Sequence, residues 1–235
     1  MIENLPKAFY PMTKNNLVII TSVINTSKNP LSYTNNRSVY TYNERLHDTQ
    51  KTIESVKKYI PDCKIFLIEC SNLEMEDEVN LKESVDYYEN LVVSDNIVRQ
   101  TSSISKSMGE GVMTIEALKY ISLKNIEYEN LFKISGRYWL NENFSYNDYN
   151  NDMICIHRIQ ENYDNVFTCF YKLPKNIVSK WYLHLLNSFN EFRNCVGYEL
   201  IFGAFINNLK DVDKKEIKKV GINGYVSVAR EFIDM

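Results

Sequence analysis

Lys133, Ser135, Gly136 and Arg137 stand together in the stretch Tyr128–Asn141. Its first part reads as a strand: Leu131, Phe132 and Ile134 are apolar, and the turn-prone Asn130 bounds them. Ser135-Gly136 breaks the run and presents Arg137, Tyr138 and Trp139. In an α/β sheet, ligands bind outside the carboxyl ends of the strands. Lys133, Ser135, Gly136 and Arg137 are therefore placed where a ligand would meet the sheet. The plainer alternative is a buried strand followed by a surface turn, with Arg137 in a solvated ion pair. A second constellation is Ser105-Lys106-Ser107-Met108-Gly109-Glu110-Gly111. Ser107 and Glu110 have capping-box spacing, which predicts a helix start. The positive end of that helix, its free N–H groups and Lys106 would suit an anion or a sugar. An ordinary capped helix with a solvated lysine explains the same residues. Two glycines inside a helix cost about 1 kcal/mol each relative to alanine, but they allow close backbone approach. Glu199 falls in the first turn of a helix expected over 197–209, where a carboxylate complements the macrodipole.

The elements that must hold these residues alternate. Asn16–Val23 is a first strand whose unbroken apolar, β-branched run fits a doubly covered parallel strand. It ends in Thr21 and Ser22, and no glycine-rich loop follows. Dinucleotide fingerprints and P-loops need glycines to bring N–H groups onto phosphate, so both are disfavoured; a methyltransferase-type glycine turn is also missing. Residues 25–40 form a long polar loop carrying Arg37 and Tyr40, and loops of that length are often functional. Thr41 and Glu44 predict a capped helix with Leu46, Gln50, Ile53, Val56 and Ile60 inward, stopped by Pro61-Asp62. Lys64–Glu69 is a second strand, 73–90 an acidic helix with Val79, Leu81 and Val85 inward, and Leu91–Val93 a short third strand. After the fourth strand and a loop over 141–152, two strands are expected at 153–157 and 166–171. A helix follows from Pro174 with Ile177, Trp181 and Leu185 inward. The helix over 197–209 would turn Leu200, Ala204 and Phe205 inward, and a turn and short strand close the chain at 221–228. Residues 1–14 read as an irregular lead-in. The order predicts a three-layer α/β/α sandwich with a Rossmann-like N-terminal half and a mixed sheet, one domain over 1–235.

Bulk properties narrow the function. At 235 residues with 44% hydrophobic content the chain can bury a real core. A net charge of −3 gives no basis for binding nucleic acid. Five cysteines, none in a CxxC pair and most in apolar runs, read as buried free thiols in a reducing compartment. No signal-peptide core or membrane-length apolar run is present, so a cytoplasmic location is expected.

Arg37, Tyr40, Glu44-Arg45, Thr49, Thr52-Ile53 and Ser55-Val56 are followed by Pro61-x-x-Lys64-Ile65-x-Leu67-Ile68-Glu69-x-Ser71. Lys106-Ser107-x-Gly109-Glu110 and Phe132-Lys133-Ile134-Ser135-Gly136-Arg137-Tyr138 come later. In this order the motifs resemble the small GT-A-fold, nucleotide-sugar-dependent glycosyltransferases of bacterial surface-glycan systems and large DNA viruses, the rhamnosyltransferase-like domains most closely. The resemblance covers most of residues 16–205. It implies a GT-A fold in which 1–125 bind the nucleotide and 126–235 handle the donor diphosphate and a glycan acceptor. Thr21, Ser22 and Val23 would line the nucleotide site, with Arg45 and Glu69 nearby. Lys106 and Glu110 would face the donor, and Lys133, Ser135, Gly136 and Arg137 its diphosphate. Glu199 would be the base of an inverting transfer, with Asp148 and Asp152 as fallbacks, and Tyr138, Trp139 and Trp181 could stack on sugar or base.

The sequence departs from that family at one place. Many GT-A enzymes carry Asp-x-Asp there to hold a divalent metal against the diphosphate, and hard cations need such oxygen ligands. Here the residues are Ser135-Gly136-Arg137. Either Lys133 and Arg137 replace the metal, since a guanidinium matches phosphate bidentately, or Mn or Mg is held by other residues, His157 being one candidate. The reading is a glycosyltransferase moving a sugar from a nucleotide-sugar donor to a glycan hydroxyl. The alternative is a non-catalytic nucleotide- or glycan-binding module on the same fold. Phosphoryl or nucleotidyl transfer is disfavoured by the lack of paired carboxylates for two metals.

Overall fold

A computed structural model describes residues 14–159 and 164–235; the expected lead-in lies outside them except for Lys14. A seven-stranded mixed sheet runs through the molecule in the order β3-β2-β1-β4-β7-β6-β8. Its strands are β1 Asn16–Ser22, β2 Cys63–Glu69, β3 Tyr87–Asn90, β4 Asn130–Ser135, β6 Ile154–Ile156, β7 Phe170–Pro174 and β8 Lys214–Glu216. Strands β1, β2, β3 and β4 are mutually parallel, whereas β7 is antiparallel to both β4 and β6. A small antiparallel sheet, β10-β9-β5, comprises β5 Tyr138–Leu140, β9 Ile222–Tyr225 and β10 Phe232–Asp234. The helices are α1 Tyr42–Tyr59, α2 Met75–Glu83, α3 Asp95–Thr101, α4 Lys106–Leu123, α5 Lys175–Asn187, α6 Phe189–Arg193 and α7 Tyr198–Asn208.

Side chains alternate across the central strands as the pleat requires. Leu17, Ile19, Phe66, Ile68 and Leu131 pack with α4, α5 and α7 on one face. Val18, Ile20, Ile65, Leu67, Phe132 and Ile134 pack with α1 and the small sheet on the other. The architecture is therefore the expected three-layer sandwich on a mixed sheet.

Several local expectations are corrected. The third strand is Tyr87–Asn90, and Leu91–Val93 is a 3₁₀ turn capped by the Asn90 side chain. The acidic helix thus ends at Glu83, and Val79 points to solvent. The expected strand at 166–171 lies at 170–174, because pairing with β4 sets the register; Val166 only bridges Arg158. Pro174 ends that strand and stands at the N-cap of α5. On α7 the inner face is Tyr198, Ile201, Phe202, Phe205 and Ile206, while Leu200 and Ala204 are exposed. Helix α3 had no counterpart in the sequence reading.

Helix α1 starts as expected, with the Thr41–Glu44 capping box formed, but Gln50 is exposed and Leu46 only half-buried. Its buried face is largely polar: Arg45, Asp48, Thr49, Thr52 and Ser55 join Ile53 and Val56. The hydroxyls of this face meet strand backbone. Thr49 Oγ1 lies 2.9 Å from the Gly136 carbonyl and Thr52 Oγ1 2.7 Å from the Tyr138 carbonyl, and the Leu140 N–H donates to Ser55 Oγ at 3.0 Å. Three hydroxyls, about one per helical turn, thus satisfy the segment from Gly136 through β5 at every second residue, where buried backbone groups must find partners. That contact fixes the segment directly after Ser135.

Candidate active site

The carboxyl ends of β1, β2 and β4 and the N-terminus of α4 surround a cavity of about 450 Å³. Thr21, Ser22 and Val23 of the β1 end line it, as do Arg45, Lys106, Glu110, Ser135 and Arg137. Strand parity sorts β1: Thr21 shares the face of Leu17 and Ile19, whereas Ser22 turns to α1 and bonds Thr49 Oγ1 at 3.1 Å. Gly109 also lines the cavity, packed so closely on Thr101 that a Cβ would lie 3.2 Å from its carbonyl oxygen.

Three residues expected at the ligand do not line this cavity. Glu69 is fully buried behind it, accepting from the Ile24 N–H at 3.0 Å and from Ser71 Oγ at 2.6 Å. Burial raises its pKa, against the hydrogen bonds and the Arg45 charge, so it shapes the wall from within. Gly136 is a packing residue: its N–H donates to the Thr21 carbonyl at 2.9 Å, and a Cβ would lie 3.1 Å from Ser22 Cβ. Lys133 is fully buried beneath the floor. Its ammonium ion-pairs with Glu110 and donates to Ser135 Oγ at 2.9 Å and the Thr168 carbonyl at 3.0 Å. All three ammonium hydrogens are thereby used.

That pairing also explains why Glu110 forms no capping box. The N-cap is Ser105, whose hydroxyl accepts from the Met108 N–H, and Lys106 opens the helix. Burial pushes the Glu110 pKa up, but Lys133 and Lys106 outweigh it and hold the carboxyl below its ordinary value.

The cavity's electrostatics are one-sided. Among the described residues its lining carries five cations, Lys28, Arg37, Arg45, Lys106 and Arg137, and one carboxylate, Glu110. Arg37 spends its guanidinium on the carbonyls of Asn29, Thr101 and Ser103 and ties the long loop to α3. Arg45 donates Nε to the Val23 carbonyl at 2.7 Å, while its Nη1 is buried without a partner. Burial drives its pKa down to about 10, and the Arg137 charge adds to the push. Arg137 donates Nε to the Tyr225 carbonyl at 3.2 Å. Neither Arg45 nor Arg137 makes an ion pair among the described residues.

A second cavity of about 270 Å³ adjoins the first, and Lys106 and Glu110 line both. Glu199 lines this second cavity with Tyr33, Ser107 and Tyr198. Asp148 and Asp152 line neither cavity; they pair with Lys215 at 2.7 Å and with Lys14. Trp181 is fully buried against Phe202 and Phe205, and Trp139 packs on Tyr225 and Phe232; Tyr138 is buried too. His157 lies within 2.7 Å of the Ile217 carbonyl through Nδ1, which fits a tethered strand-end residue.

Two parts of the first cavity had no site role in the sequence reading. Asn72 and the helix α3 residues Val98 and Thr101 line it, and so do Ser227 and Val228 of the turn between β9 and β10. Val39 N–H donates to the Ser227 carbonyl at 2.9 Å and Ser227 Oγ to the Arg37 carbonyl at 3.0 Å. Only the length of the 25–40 loop pointed to this side of the site; a contact across 190 residues leaves no local signal.

The donor set decides whether a divalent metal fits. The only lining carboxylate is already bound to Lys133, and no group of three His, Cys, Asp or Glu side chains among the described residues could hold a metal ion. The cationic wall and its orphaned guanidinium N–H do not fit a divalent cation.

No family model matches the sequence, and no curated protein matches it. Solved structures do. Core-mannan synthase A from Aspergillus fumigatus, in its Mn/GDP form, is 10% identical with a TM-score of 0.52, over 96% of this chain and 80% of that one. The fold is GT-A-like. The galactosyltransferase LgtC, in complex with donor and acceptor sugar analogues, is 10% identical with a TM-score of 0.50, over 89% and 86% of the two chains. A protein of Desulfovibrio desulfuricans G20 described as a nucleotide-diphospho-sugar transferase is 8% identical with a TM-score of 0.50, over 87% and 80%. At such identities the likeness is one of fold. No helix among the described residues is long and apolar enough to cross a membrane.

Proposed function

We propose that the protein transfers a sugar from a nucleotide-sugar donor to a hydroxyl of a glycan acceptor, with inversion. The observation that carries this reading is the cationic cavity at the carboxyl ends of β1, β2 and β4 in a GT-A-like fold. A nucleoside diphosphate supplies the negative charge that five cations and one carboxylate lack. The size of the cavity suits a small-molecule ligand, and the adjoining one suits an acceptor. Where the two meet, the acceptor oxygen attacks the anomeric carbon and the bond to the diphosphate oxygen breaks. Glu199 takes the hydroxyl proton, and the cations stabilise the departing diphosphate. Glu110, held ionised by Lys133, faces both cavities and accepts hydrogen bonds from sugar hydroxyls.

The test is calorimetric binding of UDP, GDP and dTDP, followed by transfer assays with the sugar nucleotides of whichever binds. Glu199→Gln should retain donor affinity and lose turnover by about 10²-fold or more; unchanged turnover removes Glu199 as the base. Donor binding without hydrolysis or transfer across a broad acceptor panel would instead favour a non-catalytic module. Proton NMR of the product reads the anomeric configuration directly.

A further inference from the structure

Resting on the donor reading above, we infer that Arg45 and Arg137 neutralise the diphosphate themselves and that the donor binds without a divalent metal. The first observation is the charge of the wall: five cations against one carboxylate, and that carboxylate is already committed to Lys133. A divalent cation added to such a wall would meet repulsion and no free anionic ligand. The second is Arg45 itself. It is 8% exposed, and its Nη1 N–H groups are buried and unpartnered. Buried donors are normally satisfied, so this orphan, on a residue that lines the cavity, leaves the guanidinium short of an acceptor. The third is the company it keeps. Arg137 lines the same cavity and its charge opposes that of Arg45. Two guanidiniums held together without an ion pair are stabilised jointly by a bridging dianion, and their planar forks match phosphate oxygens.

The geometry also divides the cations. Lys133, the obvious sequence candidate, has no hydrogen left to give. Arg37 is spent on backbone carbonyls. Arg45 commits Nε alone, and Arg137 commits Nε and a hydrogen bond with the Tyr138 side chain; these fix both guanidiniums at the cavity wall, and no carboxylate among the described residues consumes either in an ion pair. Both anchors are carbonyls, of Val23 and Tyr225, so the diphosphate site couples the end of β1 to the small sheet.

The experiment is isothermal calorimetry of the full chain with UDP, GDP and dTDP, in EDTA and again with Mn²⁺. The affinity for the preferred nucleotide should agree between the two conditions within about twofold, a difference of ~0.4 kcal/mol. In EDTA, Arg45→Met and Arg137→Met should each weaken binding about tenfold or more, with Arg→Lys variants intermediate. Inorganic pyrophosphate should compete with the nucleotide in EDTA for the wild type; thermal melts report whether each variant is folded. Binding that appears only with Mn²⁺ overturns the inference and leaves the donor reading standing. Binding in EDTA that neither substitution weakens also overturns it. No nucleotide bound in either condition removes the donor reading and this inference with it.

Discussion

Arg45→Met should stabilise the ligand-free protein. The side chain is 8% exposed and carries a charge with an unpartnered Nη1. Burial lowers its pKa to about 10, a penalty on the charged form of roughly 3 kcal/mol at ~1.36 kcal/mol per unit. Against this, the substitution loses the Nε bond to the Val23 carbonyl, a charge-assisted bond of about 2 kcal/mol. Methionine keeps most of the aliphatic volume, so the cavity term is small. The balance is a gain of about 1 kcal/mol, or ~2–4 °C in Tm for a chain of this size. The assay is a pair of thermal melts at pH 7.5, without ligand and with saturating nucleoside diphosphate. Ligand at about 100 times the wild-type Kd adds ~2.7 kcal/mol to the wild type but only ~1.4 kcal/mol to a variant that binds about tenfold more weakly, so the variant's lead should close or reverse on adding nucleotide. A fall of about 4 °C or more in the ligand-free variant would refute the reasoning. Arg45 would then be a structural pin, its orphan N–H without consequence.

Two further expectations concern the walls of the site. Thr52→Val removes the hydroxyl from the fully buried Tyr138 carbonyl contact and should cost about 1–3 kcal/mol, read as a lower urea midpoint with an unchanged m-value, whereas Thr52→Ser should lose less. Glu110→Gln leaves the fully buried Lys133 ammonium without a countercharge and should cost about 3 kcal/mol at neutral pH. The folded-state pKa of Glu110 lies below its ordinary 4.5, so the ion pair's contribution is full above that pH and fades as the carboxyl protonates. The gap between wild type and variant should therefore shrink as melts are taken from pH 6 down towards pH 3.5; a constant gap would show that the charge of Glu110 contributes nothing.

Elements whose signal is local were legible in the sequence. The apolar runs of β1, β2 and β4 and the Thr41–Glu44 box announced themselves within a few residues, and each stands where expected. What failed depends on partners far along the chain. The polar inner face of α1 makes sense only beside the edge of β5, some 85 residues away, because hydroxyls there answer backbone groups. Ser107 and Glu110 have the spacing of a capping box, yet Glu110 reaches across to Lys133 and the cap falls to Ser105. The same long-range logic exchanges the roles of two cations. Lys133 was readable as a ligand residue because it sits two residues from the strand end, but the pleat turns it towards α4, where a carboxylate consumes it. Arg45 was placed near the nucleotide site only by the resemblance, yet burial leaves it without an ion pair among the described residues and with a donor unused. Residue type therefore identified a cationic site, but which cations remain available is set by compensation. A charge already paired inside the protein has nothing to offer a ligand, so on the proposed reading phosphate binding falls to the guanidiniums that make no ion pair among the described residues.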